Sequence, residues 1–133
     1  MPNRGGDWFR QALRDLEQAE ESRERGKHEW ACFAAHQAAE KAVKALHLHF
    51  GQEAWGHVVA RLLRELPPEV RPHAELVEKA RVLDNFYVPT RYPNAHPSGS
   101  PKVRYTKTEA ERLIGHAQKI IEFCEGFLSE LGS

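Results

Sequence analysis

The stretch Ala31-Cys32-Phe33-Ala34-Ala35-His36-Gln37-Ala38-Ala39-Glu40-Lys41-Ala42-Val43-Lys44-Ala45-Leu46 holds seven alanines between Ala31 and Ala45. They fall on several faces of one helix, which the sequence extends from about Lys27 to Phe50 and ends at Gly51. Small side chains let neighbouring helices approach closely. This segment is therefore expected to be the central helix of a bundle, and one that a second subunit can share. Gln37, Glu40, Lys41 and Lys44 gather mostly along one stripe, with Glu40 and Lys44 spaced for a favourable i,i+4 pair.

Helical periodicity continues on either side. Upstream, Phe9, Ala12, Leu13, Leu16 and Ala19 recur at three- and four-residue steps, opposite Arg10, Arg14, Glu17, Glu21 and Glu24. Asp7 is expected to cap this first helix, which runs to about Gly26, and the charged run from Glu20 to Arg25 reads as its solvated end. Downstream, Gly56-His57 is expected to open a short third helix with Val59, Leu62, Leu63 and Leu66 on one face, ended by Pro67-Pro68. Pro72 suits the first turn of a fourth helix, with Leu76, Val77, Ala80, Leu83 and Tyr87 facing inward until Pro89 interrupts. The last helix starts at Thr106 or Thr108, where Thr108-x-x-Glu111 has the form of a capping box. Its apolar stripe runs from Ala110 to Leu128. No strand-like alternation, internal repeat or low-complexity run is present. The expected fold is all-α: an antiparallel four- to five-helix bundle, up-and-down, with a long Pro-rich loop before the last helix.

With 133 residues, 41% hydrophobic and 29% charged, the chain is expected to form one helical domain over 1–133 with a real core. No apolar run is long enough for a bilayer, and Met1 to Gly6 lack a signal core, so a cytoplasmic location and no membrane partner are expected. Cys32 and Cys124 match no metal spacing and read as buried thiols in a reducing compartment. Equal numbers of basic and acidic residues, 19 of each, exclude a bulk nucleic-acid coat protein and leave room for a focused site.

That site is sought between Asp84 and Glu109, where no acidic residue occurs while Arg91, Lys102, Arg104 and Lys107 do. Pro89, Pro93, Pro97, Gly99 and Pro101 keep the connection from Pro89 to Tyr105 from being helical for long and stiffen it as a positioned loop. Arg91-Tyr92-Pro93-Asn94-Ala95-His96 lies within it. Arg binds phosphate oxygens with a planar fork, and His suits acid or base work near neutral pH. Arg91 and His96 are thus candidate catalytic residues for cutting a phosphodiester, with Tyr92, Lys102, Arg104, Tyr105 and Lys107 as candidate nucleotide- or RNA-binding residues. One chain supplies one such His, whereas a two-fold dimer supplies two, enough for a base and an acid. The alternative reading is structural: Arg91 pairs with a helix carboxylate and His96 is a surface loop residue.

Elsewhere the chemistry is sparser. His47 and His49 point in different directions on a helix and cannot chelate one metal. His28, His36, His73 and His116 complete no metal motif, although His36 is spaced to hydrogen-bond Glu40, and His57 is read as capping or orienting. Glu40 and Asp84 are read as acids that position Arg91. With no metal-ligand pattern and no phosphate-cradling glycine loop, neither metal nor cofactor is expected, and any nucleotide is held by side chains.

Taken in order, several pieces resemble the HEPN superfamily. They are the Trp8-to-Ala19 helix, the Phe33-to-Leu46 run with its Gln37-Ala38-Ala39-Glu40-Lys41-Ala42-Val43-Lys44-Ala45 core, Gly56-His57 ahead of Leu62-Leu63, Pro89-Thr90-Arg91-Tyr92-Pro93, and the Ala-containing last helix. The resemblance implies a homodimeric helical bundle that binds nucleotide or RNA. It also implies pairing with a minimal nucleotidyltransferase, in some cases as a metal-independent endoribonuclease toxin of a toxin-antitoxin pair. Arg91 and His96 match the catalytic Arg-x4-His of such members. Tyr92 stands where active members often carry a small polar residue. Ser98 stands where members silenced by nucleotide transfer often carry Tyr. Three functions stay open on this reading: the ribonuclease, a non-catalytic helical partner docking onto a nucleotidyltransferase, and a dimeric scaffold without a site of its own. Each is consistent with a dimer, which the apolar surface of the second and last helices favours.

Overall fold

The computed structural model describes residues 4–91 and 105–132, with side chains at 5–86 and 105–128. Five α-helices form there: α1 Arg4–Glu24, α2 His28–His49, α3 Val59–Arg64, α4 Ala74–Arg91 and α5 Lys107–Gly132, with a 3-10 turn at Pro68–Val70. No strand occurs among the described residues.

α2 is the hub, packing against α1, α5, α4 and α3. Ala31, Ala35, Ala38, Ala39, Ala42 and Ala45 are all fully buried, so the alanine run closes helix–helix distances as expected. Gly26, at φ +75°, turns the chain so that Lys27 N–H bonds back to Ser22 O, and α2 runs antiparallel to α1. At the other end Gly51, also at φ +75°, stops α2 where left-handed backbone suits glycine. Phe50 at the end of α2 meets Phe127 near the end of α5, so these two helices run parallel. α4 opposes both: its Asp84 reaches His36 near the start of α2, and its Phe86 touches Tyr105 just before α5. The result is the expected up-and-down bundle, with α3 as a short brace.

Several boundaries differ from the expectation. Asp7 is not the cap of α1 but lies inside its first turn, paired with Arg10; the helix begins three residues earlier, and an acid there still favours its positive end. α3 starts at Val59 rather than at Gly56-His57, because Gly56 at φ +95° makes a turn before it. Pro72 precedes α4 instead of occupying its first turn. α4 continues through Pro89 to Arg91, so the proline falls in its last turn, where its fixed φ still matches the helix. The cap of α5 is Thr106, one of the two expected starts, whose Oγ1 accepts from Glu109 N–H at 3.2 Å, and not Thr108 of the expected Thr108-x-x-Glu111 box.

Candidate functional site

The polar stripe of α2 is partly buried, and it forms the main charged cluster among the described residues. Glu40 is 4% exposed and holds Lys44 Nζ at 2.9 Å from Oε2, while both of its oxygens lie 3.1 Å from His57 Nδ1. His36, buried one turn earlier, directs Nε2 to Asp84 Oδ1 at 3.0 Å; its Nδ1 is 4.0 Å from Glu40, beyond hydrogen-bond length. Asp84 also accepts from Val59 N–H at 2.8 Å and Ala60 N–H at 3.0 Å, using both carboxylate oxygens on the first turn of α3. One α4 carboxylate thus caps α3 and holds an α2 imidazole, locking three helices together. His47 adds a separate tie from Nε2 to Leu62 O at 2.8 Å.

The segment expected to carry phosphate chemistry is described only at its flanks. Arg91 closes the backbone of α4. Its side chain, and Tyr92, His96, Lys102, Arg104 and the proline-rich connection, lie outside the described residues. Tyr105 is buried, its ring edge-on to Phe86 at 5.7 Å and its hydroxyl donating to Phe86 O at 3.4 Å. That place suits an anchor for the chain entering α5 better than a stacking surface for a ligand. Lys107, the first residue of α5, is exposed and has no ion pair among the described residues.

Glu40 and Asp84, expected to position Arg91, spend their described contacts on Lys44, His57, His36 and the start of α3. Sequence reading missed this network because its partners are far apart in the chain and share no local spacing. The Glu40–Lys44 pair alone was legible. Cys32 and Cys124 are free and buried. Burial, helped by the Glu109 carboxylate, pushes the Cys32 thiol up to about 12, and burial also raises Cys124, so both are poor nucleophiles. His116 sits below the ordinary histidine range because of burial first, then the charges of Lys79 and Arg112. No group of three or more His, Cys, Asp or Glu among the described residues is arranged to hold a metal ion. No described helix is long and apolar enough to cross a membrane.

An up-and-down bundle built on an alanine-rich hub and braced by a buried charged cluster defines an all-helical domain. Residues 6–127 match the HEPN domain, and the chain belongs to that family. It is similar to the crystal structure of TT1696 from Thermus thermophilus, with 51% identity and a TM-score of 0.89 over 94% of this chain and 98% of that one. It also resembles ST0689, an archaeal HEPN homologue, at 38% identity and a TM-score of 0.81, covering 96% of this chain and 99% of that one. A HEPN domain protein of Thermotoga maritima, TM0613, aligns at 44% identity and a TM-score of 0.76, covering 94% and 99%. A more distant relative, 27% identical over 132 residues (92% of this chain, 87% of the relative), is "Putative toxin MJ1304" of Methanocaldococcus jannaschii.

Proposed function

We propose that this protein is a toxin-type HEPN ribonuclease that grips RNA phosphate with Arg91 and transfers protons with His96, acting as a homodimer without metal. The observation that carries the reading is the way both flanks of residues 92–104 are held. α4 stays helical through Pro89 to Arg91, and the chain re-enters the core at Tyr105 against Phe86 of that same helix. Both ends of a basic, acid-free segment are thereby tethered to one end of the bundle, with Lys107 just beyond. The toxin name of the archaeal relative points the same way.

In this mechanism one His takes the proton of the ribose 2′-hydroxyl, whose oxygen attacks the adjacent phosphorus. The 5′-oxygen leaves with a proton from the second His, contributed by the partner subunit, and a 2′,3′-cyclic phosphate remains. Arg91 neutralises the charge that builds on the phosphoryl oxygens.

His96→Ala should lower cleavage of single-stranded RNA by about a thousandfold or more with an unchanged far-ultraviolet spectrum. Arg91→Ala should weaken both binding and turnover, and cleavage should persist in chelator. Purified wild-type protein that leaves such RNA intact, or a fully active His96→Ala variant, overturns the reading. A second reading, a non-catalytic subunit docked onto a minimal nucleotidyltransferase, is favoured by Tyr92 and Ser98 at positions where the family pattern differs. Stable co-sedimentation with a transferase encoded beside it, together with inert RNA, would decide for that reading.

A further inference from the structure

Away from that segment, Trp8, Lys44, Leu48, Glu53, Ala54 and Trp55 line a cleft of about 170 Å³ between the start of α1, the end of α2 and the turn after it. Trp55 is 79% exposed, the most solvent-facing of the large apolar residues among those described. The turn that carries it is not loose. Gln52 is tied to α2 through its N–H to His47 O at 2.9 Å and its side chain 3.1 Å from His47 Nδ1, and His57 is tied to buried Glu40. Ala54 packs against the core between these ties. A turn pinned on both sides yet holding an indole in water has a ready-made ring face on offer.

The other walls narrow what that face can accept. Lys44 Nζ sits 5.8 Å from the Trp8 ring centroid and is also bonded to Glu40 at 2.9 Å, so its charge is already matched and the cleft is no phosphate site. Glu53, two residues before Trp55, is exposed and has neither a hydrogen bond nor an ion pair among the described residues. An aromatic face beside an unpaired carboxylate is complementary to a flat ring that bears N–H donors on its edge. The volume is well below the roughly 300–1,000 Å³ of pockets that enclose whole drug-sized ligands, so it suits one ring system and not an entire nucleotide.

We propose that this cleft is an accessory subsite for one unpaired, amino-bearing base of a single-stranded RNA, with Trp55 stacking on the base and Glu53 accepting its exocyclic amino hydrogens. This deepens the ribonuclease reading and rests on it for the choice of RNA as ligand. Cytosine, adenine and guanine offer Glu53 an exocyclic amino group, whereas uracil offers only N3–H, flanked by two carbonyl oxygens that repel the carboxylate.

The test uses the full chain and fluorescein-labelled 2′-O-methyl octamers, which bind but cannot be cut, read by anisotropy at fixed salt. C8 and U8 are both pyrimidine octamers of equal charge, and the part of their difference that Glu53→Gln removes reports Glu53. C8 should bind at least fivefold more tightly than U8, and CMP much more weakly than C8. Trp55→Ala should weaken C8 about tenfold, as expected for loss of one stacked base. Glu53→Gln, which can both accept and donate, should bring C8 and U8 within twofold of each other. Equal binding of C8 and U8 by wild type, unchanged binding by Trp55→Ala, or CMP binding as tightly as C8 overturns the subsite. So does conversion of a dimer to a monomer by Trp55→Ala in sedimentation, which would make the cleft a protein interface. Cleavage and this binding fail separately: a wild type that cuts no RNA yet keeps the Trp55- and Glu53-dependent preference loses the catalytic reading and retains the subsite.

Discussion

The two faces of α2 meet the rest of the protein by opposite means. On one, alanines and Leu46 are buried against apolar neighbours and carry no directional demand. On the other, His36 and Glu40 are just as deeply buried but depend on named partners: Asp84 for the imidazole, Lys44 and His57 for the carboxylate. Apolar burial stabilises roughly in proportion to area, whereas buried polar groups stabilise little and become costly once a partner is missing. The apolar face therefore supplies stability. The polar face supplies register, because Asp84 ties α4 to His36 of α2 and to the first turn of α3, while His57 ties the turn before α3 to Glu40.

The largest effect is expected where the apolar face is cut. Leu46 is fully buried on that face, and Leu46→Ala should lower unfolding free energy by about 2–5 kcal/mol in urea titration. A loss under about 1 kcal/mol would mean that the alanine-rich seam closes over the cavity, and the contrast between the faces would shrink.

Next comes the polar face. Asp84→Ala removes the acceptor for two α3 N–H groups and for His36, and should cost about 2 kcal/mol, less than Leu46→Ala. Its more telling consequence is local: amide exchange of Val59 and Ala60 should accelerate far more than that of the α2 alanines. Uniform acceleration across α2 would show that Asp84 bears global stability, against the division of labour drawn here.

The same contrast explains what the sequence made legible. The apolar face writes itself into the chain as a three- and four-residue period, so the hub, the helix order and the up-and-down arrangement could be read from the residues alone. Thr106 was readable as one of two starts for the last helix, and the 3.2 Å bond from Glu109 N–H chose it over Thr108 and its expected box with Glu111. The polar face has its own stripe on α2, but most of the partners that complete it lie outside that helix. Asp84 and His36 are joined across 48 positions and His57 and Glu40 across 17, so only folding brings them together. Pro89 misled because its local rule predicts a break, whereas the helix runs two residues past it. Arg91 and His96 were legible as residue types in an acid-free segment. Trp55 left no such mark, since only its exposure on a pinned turn sets it apart.

The smallest effect should come from His116, which lies on neither face but in a groove of α4 and α5 lined by Glu75, Glu78 and Lys79. Burial, Lys79 and Arg112 hold its imidazolium below the ordinary value of about 6.5, and they outweigh the two groove carboxylates. In the unfolded chain the ring takes its proton at the higher, ordinary value. As pH falls through about 6.5 the unfolded state therefore binds a proton that the folded state still refuses, and stability drops; it is recovered as pH rises. The ring is only partly buried, so solvent screening keeps this contribution small. His116→Gln should flatten the stability profile slightly between about pH 7.5 and 5.5, and Lys79→Gln should do so in part by relieving one of the opposing charges. A slope left unchanged by His116→Gln would show that this ring does not set the acid sensitivity of the fold.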